Sequence, residues 1–479
     1  AQIKAMSNEQ LAALSTNQIG KISTDAVAGL TVEQIDNLST TSVAGLTSSQ
    51  VNALSVSQLK LLSPDQLNAL GSSALSNMET AKLTALTTQQ VAGLSTANVA
   101  ALTSTQVGKL TLNQLASLST AQIAALDTVD VKNLSSTQVQ SLSTAQLNAL
   151  TSAQLTAIDT EDLASIGTDK IVKLSSTQLN ALSSNQFGAL TTAQITALET
   201  AQIRNLSTDQ VKALSTLQAS ALLASQVNAM SSGQIAAIET ADLVKLATSQ
   251  IGSLSTAVVQ ALTTTQLAAL TTAQLGQLGT GQFAAIGSAG LVALTTDQFG
   301  SITAAQINSI SAANLAKVET QDLVKLGTGQ IASLSAGTLQ ALTTDQIAAL
   351  SNAQVQKLTS DQFGALGAAS LTALTTTQFG VITASQLNGV SAGNVPKIET
   401  QDLVKLASTE VASLSTTVVG ALSTDQVANL SNDQVKKLTS DQLAAFSANS
   451  VVALTSAQFG VLSATQLNGL TNAAVAKIE

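Results

Sequence analysis

Large apolar residues recur along the whole chain at alternating spacings of three and five residues. Written from Ser7, the sequence divides into 59 complete octads, which run to Ile478 without an insertion or deletion. The consensus is Ser/Thr-Thr-x-Gln-Φ-x-x-Leu, in which Φ is Val, Ile, Leu or Phe. Position 8 is always large and apolar, and position 5 is so everywhere except at Ala219. Self-similarity at a fixed period defines a repeat protein.

The apolar spacing favours one short helix in each octad. It averages four residues, whereas a continuous helix repeats about every 3.6 residues and a half-buried strand every two. The hydroxyl at position 1 suits a helix N-cap, and Gln at position 4 is the third helical residue of a capping box. The apolar residues at position 8 of one octad and position 5 of the next suit a hydrophobic staple. The sequence therefore predicts an all-α solenoid of very short helices, with a β-solenoid as the alternative.

Charged residues follow the same polarity. Of the 28 acidic residues, 27 occupy positions 1, 3 or 4, the exception being Asp36. Of the 19 basic residues, 17 occupy positions 6 or 7, the exceptions being Lys82 and Lys170. Acids at the start and bases at the end of a helix are what its macrodipole favours. Pro64 at position 2 fits the first helical site, whereas Pro396 at position 6 does not fit a helix.

Octads of this length need neighbours to fold. A helix of about six residues does not persist alone in water, so stability must come from stacking of successive octads around a shared core. No change in composition marks a boundary, and residues 1–479 form a single array, which we interpret as an excerpt of a longer chain. The number of octads per coil stays open at this stage.

An 80-residue period lies above the octad. Acids begin the octads at Glu79, Asp159, Glu239, Glu319, Glu399 and Glu479. Ten octads therefore form a super-repeat, and ten divides evenly into coils of two octads but not of three. The stretch ETQDLVKL occurs at 319–326 and 399–406, with ETADLVKL at 239–246. It predicts acids at the cap and an ion pair between Asp322 and Lys325, three residues apart on one helix.

A lysine two residues before Glu319, Glu399 and Glu479 extends this pattern. We expect the acids and lysines of the super-repeat to form an electrostatic contact between turns or between neighbouring fibres. The residues of this predicted contact are Glu239, Asp242, Lys245, Lys317, Glu319, Asp322, Lys325, Lys397, Glu399, Asp402, Lys405 and Lys477.

Composition argues against catalysis and nucleic-acid binding. The chain has no Cys, His, Trp or Tyr, and its net charge is −9. It therefore lacks a thiolate nucleophile, the usual neutral-pH base and a basic surface for phosphates. Carboxylates at exposed helix starts would act as caps with ordinary pKa values. Mean hydropathy is +0.31, yet polar residues interrupt every apolar run, and no stretch reaches the roughly 18 residues of a membrane span. No catalytic residue, metal site or cofactor is predicted.

Three weaker ligand hypotheses stay open. Asp159, Glu161, Asp162 and Asp169 form the densest acidic cluster, and carboxylate oxygens are the ligands that calcium prefers. The cluster lacks a glycine-bent calcium loop, so solvated helix starts are the favoured interpretation. A hydroxyl-rich surface could carry or bind glycans. A ladder of Thr at position 2 is also similar to those of ice-binding proteins, although Thr is simply tolerated at that site.

The octads resemble those of a known style of protein. Runs such as LTTAQITAL at 190–198 and LSTAQIAAL at 118–126 resemble very long, low-complexity bacterial proteins that are secreted or surface-bound, like giant repetitive adhesins. This resemblance implies an extracellular or cell-surface, filament-forming protein that associates with itself. The predicted function is a structural fibre, sheath or adhesin stalk; the alternative is a solenoid that binds a protein or glycan.

Overall fold

The computed structural model describes residues 3–478, so that Glu479 of the super-repeat lies outside the described residues. Over that range the chain forms 58 α-helices and two short 3-10 helices, and it contains no strand. The prediction of one short helix per octad is therefore confirmed, and the β-solenoid alternative is wrong. The chain divides into two compact units, with the division between Asp242 and Leu243. The octad register continues through this division in the sequence.

Helix bounds follow the octad closely. The α-helices begin at position 2 and end at position 5, 6 or 7, as in Ser104–Val107, Thr128–Lys132 and Thr120–Ala125. Two helices begin one residue earlier, Gly71–Ser76 and Gly287–Ala293. There the N-cap serine or threonine is replaced by a glycine with φ of 75° or 72°, a conformation that glycine adopts without steric cost.

The capping box forms as the sequence predicts. Ser119 has an extended backbone, its Oγ accepts from the backbone N–H of Gln122 at 3.3 Å, and Oε1 of Gln122 accepts from the N–H of Ser119 at 2.6 Å. Helix starts have free N–H groups that need such partners. Pro396 explains a local exception: it has no N–H to donate, and the octad 391–398 contains the 3-10 helix Val395–Lys397 in place of an α-helix.

Three octads make one coil. In the first unit helix Ser136–Ser141 packs on helix Thr160–Ser165, and in the second unit Ser360–Gly364 packs on Ala384–Asn388. In each pair the second helix belongs to the octad three places after that of the first. The divisibility of ten octads by two therefore suggested the wrong number of octads per coil. The super-repeat reflects sequence identity between distant coils and does not correspond to a whole number of coils.

The core is mainly aliphatic, with a few phenylalanines, and lies inside the coils. Side chains at positions 5 and 8 are buried through most of the chain, and Phe187, Phe283, Phe299, Phe363 and Phe379 are fully enclosed. Coils approach closely where position 7 carries glycine. A Cβ on Gly45 would lie 2.6 Å from Cα of Thr16 in the coil before it, so a larger residue there would force the helices apart.

Candidate coil-stacking interface

The glutamine at position 4 joins successive coils. In helix Thr88–Ala92, Oε1 of Gln90 accepts from the N–H of Thr87 at 2.9 Å, which completes the capping box. Its Nε2 donates to the carbonyls of Leu59 and Leu62 at 2.8 and 2.7 Å. These carbonyls belong to the end of an earlier octad, where helical partners are missing. One side chain thus closes its own helix start and the end of another helix.

This glutamine bond recurs in both units. The acceptors are carbonyls at position 5, 6 or 8 of the octad four places earlier, as for Gln186 with Ile158 at 2.8 Å and Gln434 with Leu406 at 2.8 Å. Both glutamines are at most 4% exposed. Buried amides require partners for all their polar atoms, so this contact fixes the register in which coils stack.

Lys170 is one of the two basic exceptions to the charge pattern and takes the place of a glutamine. It occupies position 4 of its octad, and its Nζ donates to the carbonyls of Gln140 and Leu142 at 2.5 and 2.8 Å. These acceptors occupy positions 6 and 8 of the octad four places earlier, where a glutamine would find them. A lysine ammonium can therefore make the donor contacts that glutamine makes at this position.

An asparagine at position 6 provides a second bridge. Nδ2 of Asn388 donates to the carbonyl of Ser413 at 3.1 Å, and its Oδ1 accepts from the N–H of Ser415 at 2.7 Å. The octad that begins at Ser415 has Val418 at position 4 and so lacks a capping glutamine. Asn388 supplies the missing acceptor from the coil before it. The same paired bonds form at Asn52, Asn68, Asn148 and Asn308.

Most of these asparagines belong to the 80-residue period. Sequence positions 68, 148, 228, 308, 388 and 468 all carry asparagine. The super-repeat thus has a recurrent structural feature, a bridge between coils, which sequence reasoning did not identify. The sequence does contain a signal for this bridge. Four octads carry Lys82, Asn98, Thr338 or Val418 in place of glutamine at position 4. In each case the octad four places earlier has an asparagine at position 6.

Two aspartates at position 4, Asp322 and Asp402, pack near the start of a helix in the previous coil, whereas glutamines at this position bind the end of one. Asp322 is 3% exposed and Asp402 is 2% exposed, and the hydroxyls of Thr296 and Thr376 lower the pKa of the two carboxyl groups. Both threonines occupy position 2 of the octad three places earlier. A carboxylate cannot donate to the carbonyls that glutamine uses, so it contacts the start of the helix below. Oδ1 of each aspartate has no hydrogen-bond partner.

Burial has an electrostatic consequence at these aspartates. It raises the pKa of Asp322 and Asp402 above the ordinary value; the threonine hydroxyls oppose that rise, and the charges of Glu319 and Glu399 add to it. Burial also raises the pKa of Asp130 to about 6, with the adjacent Asp127 carboxylate contributing. The expectation of exposed carboxylates with ordinary pKa values is therefore wrong for these positions.

Asp127 and Asp130 form a capping box made of two acids. The N–H of Asp130 donates to Oδ1 of Asp127 at 2.7 Å, and the N–H of Asp127 donates to Oδ2 of Asp130 at 3.0 Å. Asp130 is 1% exposed, and it lacks the amide with which glutamine would bind an earlier coil. Helix Thr128–Lys132 is thus capped without the usual stacking donation.

The ETQDLVKL motif differs from its prediction in two respects. Glu319 and Glu399 stand at the N-cap but make no side-chain cap bond; each accepts from the glutamine two residues later at 2.5 Å. The predicted ion pair of Asp322 with Lys325 is not formed, since Asp322 is buried whereas Lys325 is exposed. Within residues 3–478, the ion pair whose charged atoms approach within 4 Å joins Lys82 Nζ to Glu79 Oε2, at 3.9 Å.

The residues of the predicted electrostatic contact fall into two groups. Asp242, Asp322 and Asp402 are buried, so they are not available to a neighbouring fibre. The exposed or partly exposed members are Glu239, Lys245, Lys317, Glu319, Lys325, Lys397, Glu399, Lys405 and Lys477. A lateral contact would have to use this second group.

Two similar clefts lie beside the motif. One has a volume of about 410 Å³ and is lined by Glu319, Gln321 and Asp345 among others; the second, of about 470 Å³, is lined by the equivalent Glu399, Gln401 and Asp425. Lys397 lines the second cleft as well. The super-repeat therefore reproduces a polar surface feature, and not merely a stretch of sequence.

The acidic cluster considered for calcium does not converge. Asp162 is buried and accepts from the hydroxyl of Ser136 at 2.5 Å, whereas Asp159 is exposed. Among residues 3–478 no group of three or more acidic side chains is arranged to hold a metal ion. In the same range no helix is long and apolar enough to cross a membrane.

The fold and the repeated interface define an α-helical solenoid repeat protein. The ALTTAQ repeat matches well over half of the sequence, and the chain belongs to that family. The matched residues are 3–40, 75–112, 123–160, 155–192, 190–224, 235–272, 275–312, 315–352, 395–432 and 433–472. Several matches begin five octads apart, at 235, 275 and 315, so the family unit spans about five octads.

The solved structures that are similar to this chain resemble it weakly. No curated protein matches the chain. The structure of APUM23-GGAAUUGACGG is similar at 12% identity over 97% of this chain and 94% of that one, with a TM-score of 0.17. A form of APUM23 with its insert region deleted gives 13% identity, coverage of 83% and 91%, and a TM-score of 0.18. TM-scores this low support neither a shared fold nor a shared ligand.

Proposed function

We propose that this chain is a non-catalytic structural element of an extracellular or cell-surface array, such as a fibre, sheath or adhesin stalk. The observation that carries the proposal is the stacking bond of the position-4 glutamine. Positions 1, 4, 5 and 8, the most strongly specified of the octad, all serve capping, stacking or the core. The residues that define the repeat therefore serve to hold the array together.

The surface also favours a passive role over a recognition role. Binding surfaces usually present aromatic or arginine anchors, and this chain has one arginine, Arg204, and no Tyr or Trp. The exterior also carries the periodic set of acids and lysines. We propose that Glu319 and Glu399 with Lys317, Lys397 and Lys477 form salt-sensitive lateral contacts between copies of the chain.

Electron microscopy of the native material tests the structural role. Long regular filaments or a continuous sheath are expected, with this array as their repeating part. Dispersed particles that bind a protein or glycan saturably would instead establish the binding-module alternative.

Charge substitutions test the lateral contact separately. We expect Lys317→Gln, Lys397→Gln and Lys477→Gln together to weaken self-association in sedimentation velocity at low salt, and to flatten its salt dependence. Lys60→Gln, Lys109→Gln and Lys436→Gln form a matched control, because they remove the same charge from exposed lysines that do not recur at 80-residue spacing. Equal salt responses of the two triple variants would contradict the lateral contact.

A further inference from the structure

Asn98 shows what an uncharged side chain of aspartate size does at position 4. Its Oδ1 accepts at 3.2 Å from the hydroxyl of Ser72, at position 2 of the octad three places earlier. Its Nδ2 donates at 3.2 Å to the carbonyl of Asn68, at position 6 of the octad four places earlier. A four-atom side chain at this position can therefore contact both the start and the end of helices in the coil below.

Asp322 and Asp402 lie near the first of these two partners and lack the second. The threonine hydroxyl at position 2 of the octad three places earlier lowers the pKa of each carboxyl group, and Oδ1 of each is buried without a partner. The carbonyls that correspond to that of Asn68 are those of Val292 and Thr372. An ionised carboxylate cannot bond a carbonyl, but a protonated carboxyl group donates one hydrogen bond.

We propose that Asp322 and Asp402 are proton-controlled joints in the second unit. When ionised, each holds its coil through the threonine hydroxyl alone. When protonated, the same side chain keeps the threonine bond and donates through its second oxygen to the carbonyl of Val292 or Thr372. Mild acid thus adds one bond per joint and tightens the stack at the same place in successive super-repeats.

The acids near each aspartate also favour its protonated form, whereas the nearby lysines oppose it. The helices packed against Asp322, Thr296–Ser301 and Thr344–Ala349, contribute Asp297 and Asp345, and its own octad contributes Glu319 and Lys325. Around Asp402, helix Thr424–Asn429 contributes Asp425, helix Thr376–Phe379 contributes no charge, and its own octad contributes Glu399 and Lys405. Asp297, Asp345, Asp425, Lys325 and Lys405 are exposed and screened by solvent, so burial of the aspartates dominates, and burial favours the protonated form.

Amide hydrogen exchange of the full chain between pH 7 and about 4 tests the joints, with intrinsic exchange rates removed. Peptides covering 292–299, 319–326, 372–379 and 399–406 are expected to become protected on acidification by roughly 5- to 30-fold, the equivalent of about one buried hydrogen bond. The variant Asp322→Asn with Asp402→Asn imitates the protonated form. It is expected to show that protection already at pH 7 and to lose its dependence on pH in this range.

Two further variants give the controls. Asp345→Asn with Asp425→Asn removes the same charge from exposed carboxylates in neighbouring helices, and it should retain the wild-type response. Thr296→Val with Thr376→Val removes the bonds that favour the ionised form, so the protection should appear at higher pH. The proposal is overturned if acid leaves these peptides unprotected in the wild type, or if the asparagine variant responds to pH as the wild type does.

Discussion

Nε2 of Gln50 donates to the carbonyl oxygen of Ile22 at 2.7 Å, across 28 residues of sequence. The same glutamine accepts from the N–H of Thr47 at 2.7 Å and so closes its own helix. Local capping and long-range stacking are therefore performed by one buried amide. In an array of helices too short to be stable alone, this coupling makes helix formation depend on coil formation.

The adjacent Gln89 and Gln90 allow this coupling to be measured. Gln90→Ala removes the capping acceptor and both stacking bonds and leaves buried carbonyls without a partner. We expect a loss of about 2–4 kcal/mol in the free energy of unfolding, from two to three buried hydrogen bonds. Gln89→Ala changes an exposed side chain at position 3 and should cost less than about 0.5 kcal/mol. Chemical denaturation gives both values, and equal costs would refute the stacking role.

Lys170 tests whether the site selects a donor or a charge. Lys170→Gln retains a donor for the carbonyls of Gln140 and Leu142, and we expect it to be as stable as the wild type or more so. Lys170→Met keeps the aliphatic stem but removes the donor, with an expected cost of about 1–3 kcal/mol. Lys173→Met, at an exposed lysine three residues on, is the control for loss of charge. A destabilised Lys170→Gln variant would show that the positive charge itself is needed.

The asparagine bridge predicts a rescue. Asn388→Ala leaves the N–H of Ser415 and the carbonyl of Ser413 without their partner, at an expected cost of about 1–2 kcal/mol. Val418→Gln should restore the acceptor for Ser415 from within the octad, as glutamine does elsewhere. In a double-mutant cycle the two substitutions should therefore couple by about 0.5–1.5 kcal/mol. Purely additive effects in thermal unfolding would show that the bridge does not replace the capping glutamine.

Asp130 predicts a pH dependence of stability in the first unit. Its pKa is raised to about 6 in the folded chain, above the usual value of about 3.9 in an unfolded one. The folded state therefore binds the proton more tightly, and stability rises as the pH falls from above 6 towards 4. Asp130→Gln should stabilise the chain at pH 7 and remove this part of the response. The difference between wild-type and variant unfolding curves, measured at several pH values, isolates it from other carboxylates.

The local structure of the octad was predictable because its determinants lie within eight residues. Ser119 and Gln122 are close in sequence, and the staple and the charge polarity are equally local. The N-cap, the helix start and the buried positions could therefore be assigned without tertiary information. Pro396 was correctly predicted not to fit an α-helix, and the structure accommodates it in a 3-10 helix.

The coil could not be predicted, because an eight-residue period does not determine how many octads close one turn. The second role of glutamine has left a trace in the sequence, however. A capping box accepts Glu or Gln, yet Glu410 is the single glutamate at position 4. That preference indicates that a donor is favoured at this position, and Glu410 itself turns to accept from the N–H of Ala384 at 2.6 Å. The buried state of Asp322 was missed because its acceptor role depends on a residue in another coil.

The coil of three octads is the central claim, and a cysteine cross-linking series tests it directly. The chain contains no native cysteine, and Gln140 at position 6 donates to the carbonyl of Ser165 at 2.8 Å. Gln140→Cys is combined in turn with Ala157→Cys, Ser165→Cys and Lys173→Cys, which lie at position 7 of the octads two, three and four places further on. Under mild oxidation, a coil of three octads predicts rapid intramolecular disulfide formation for residues 140 and 165 alone. Preferential formation between 140 and 157, or between 140 and 173, would contradict the fold.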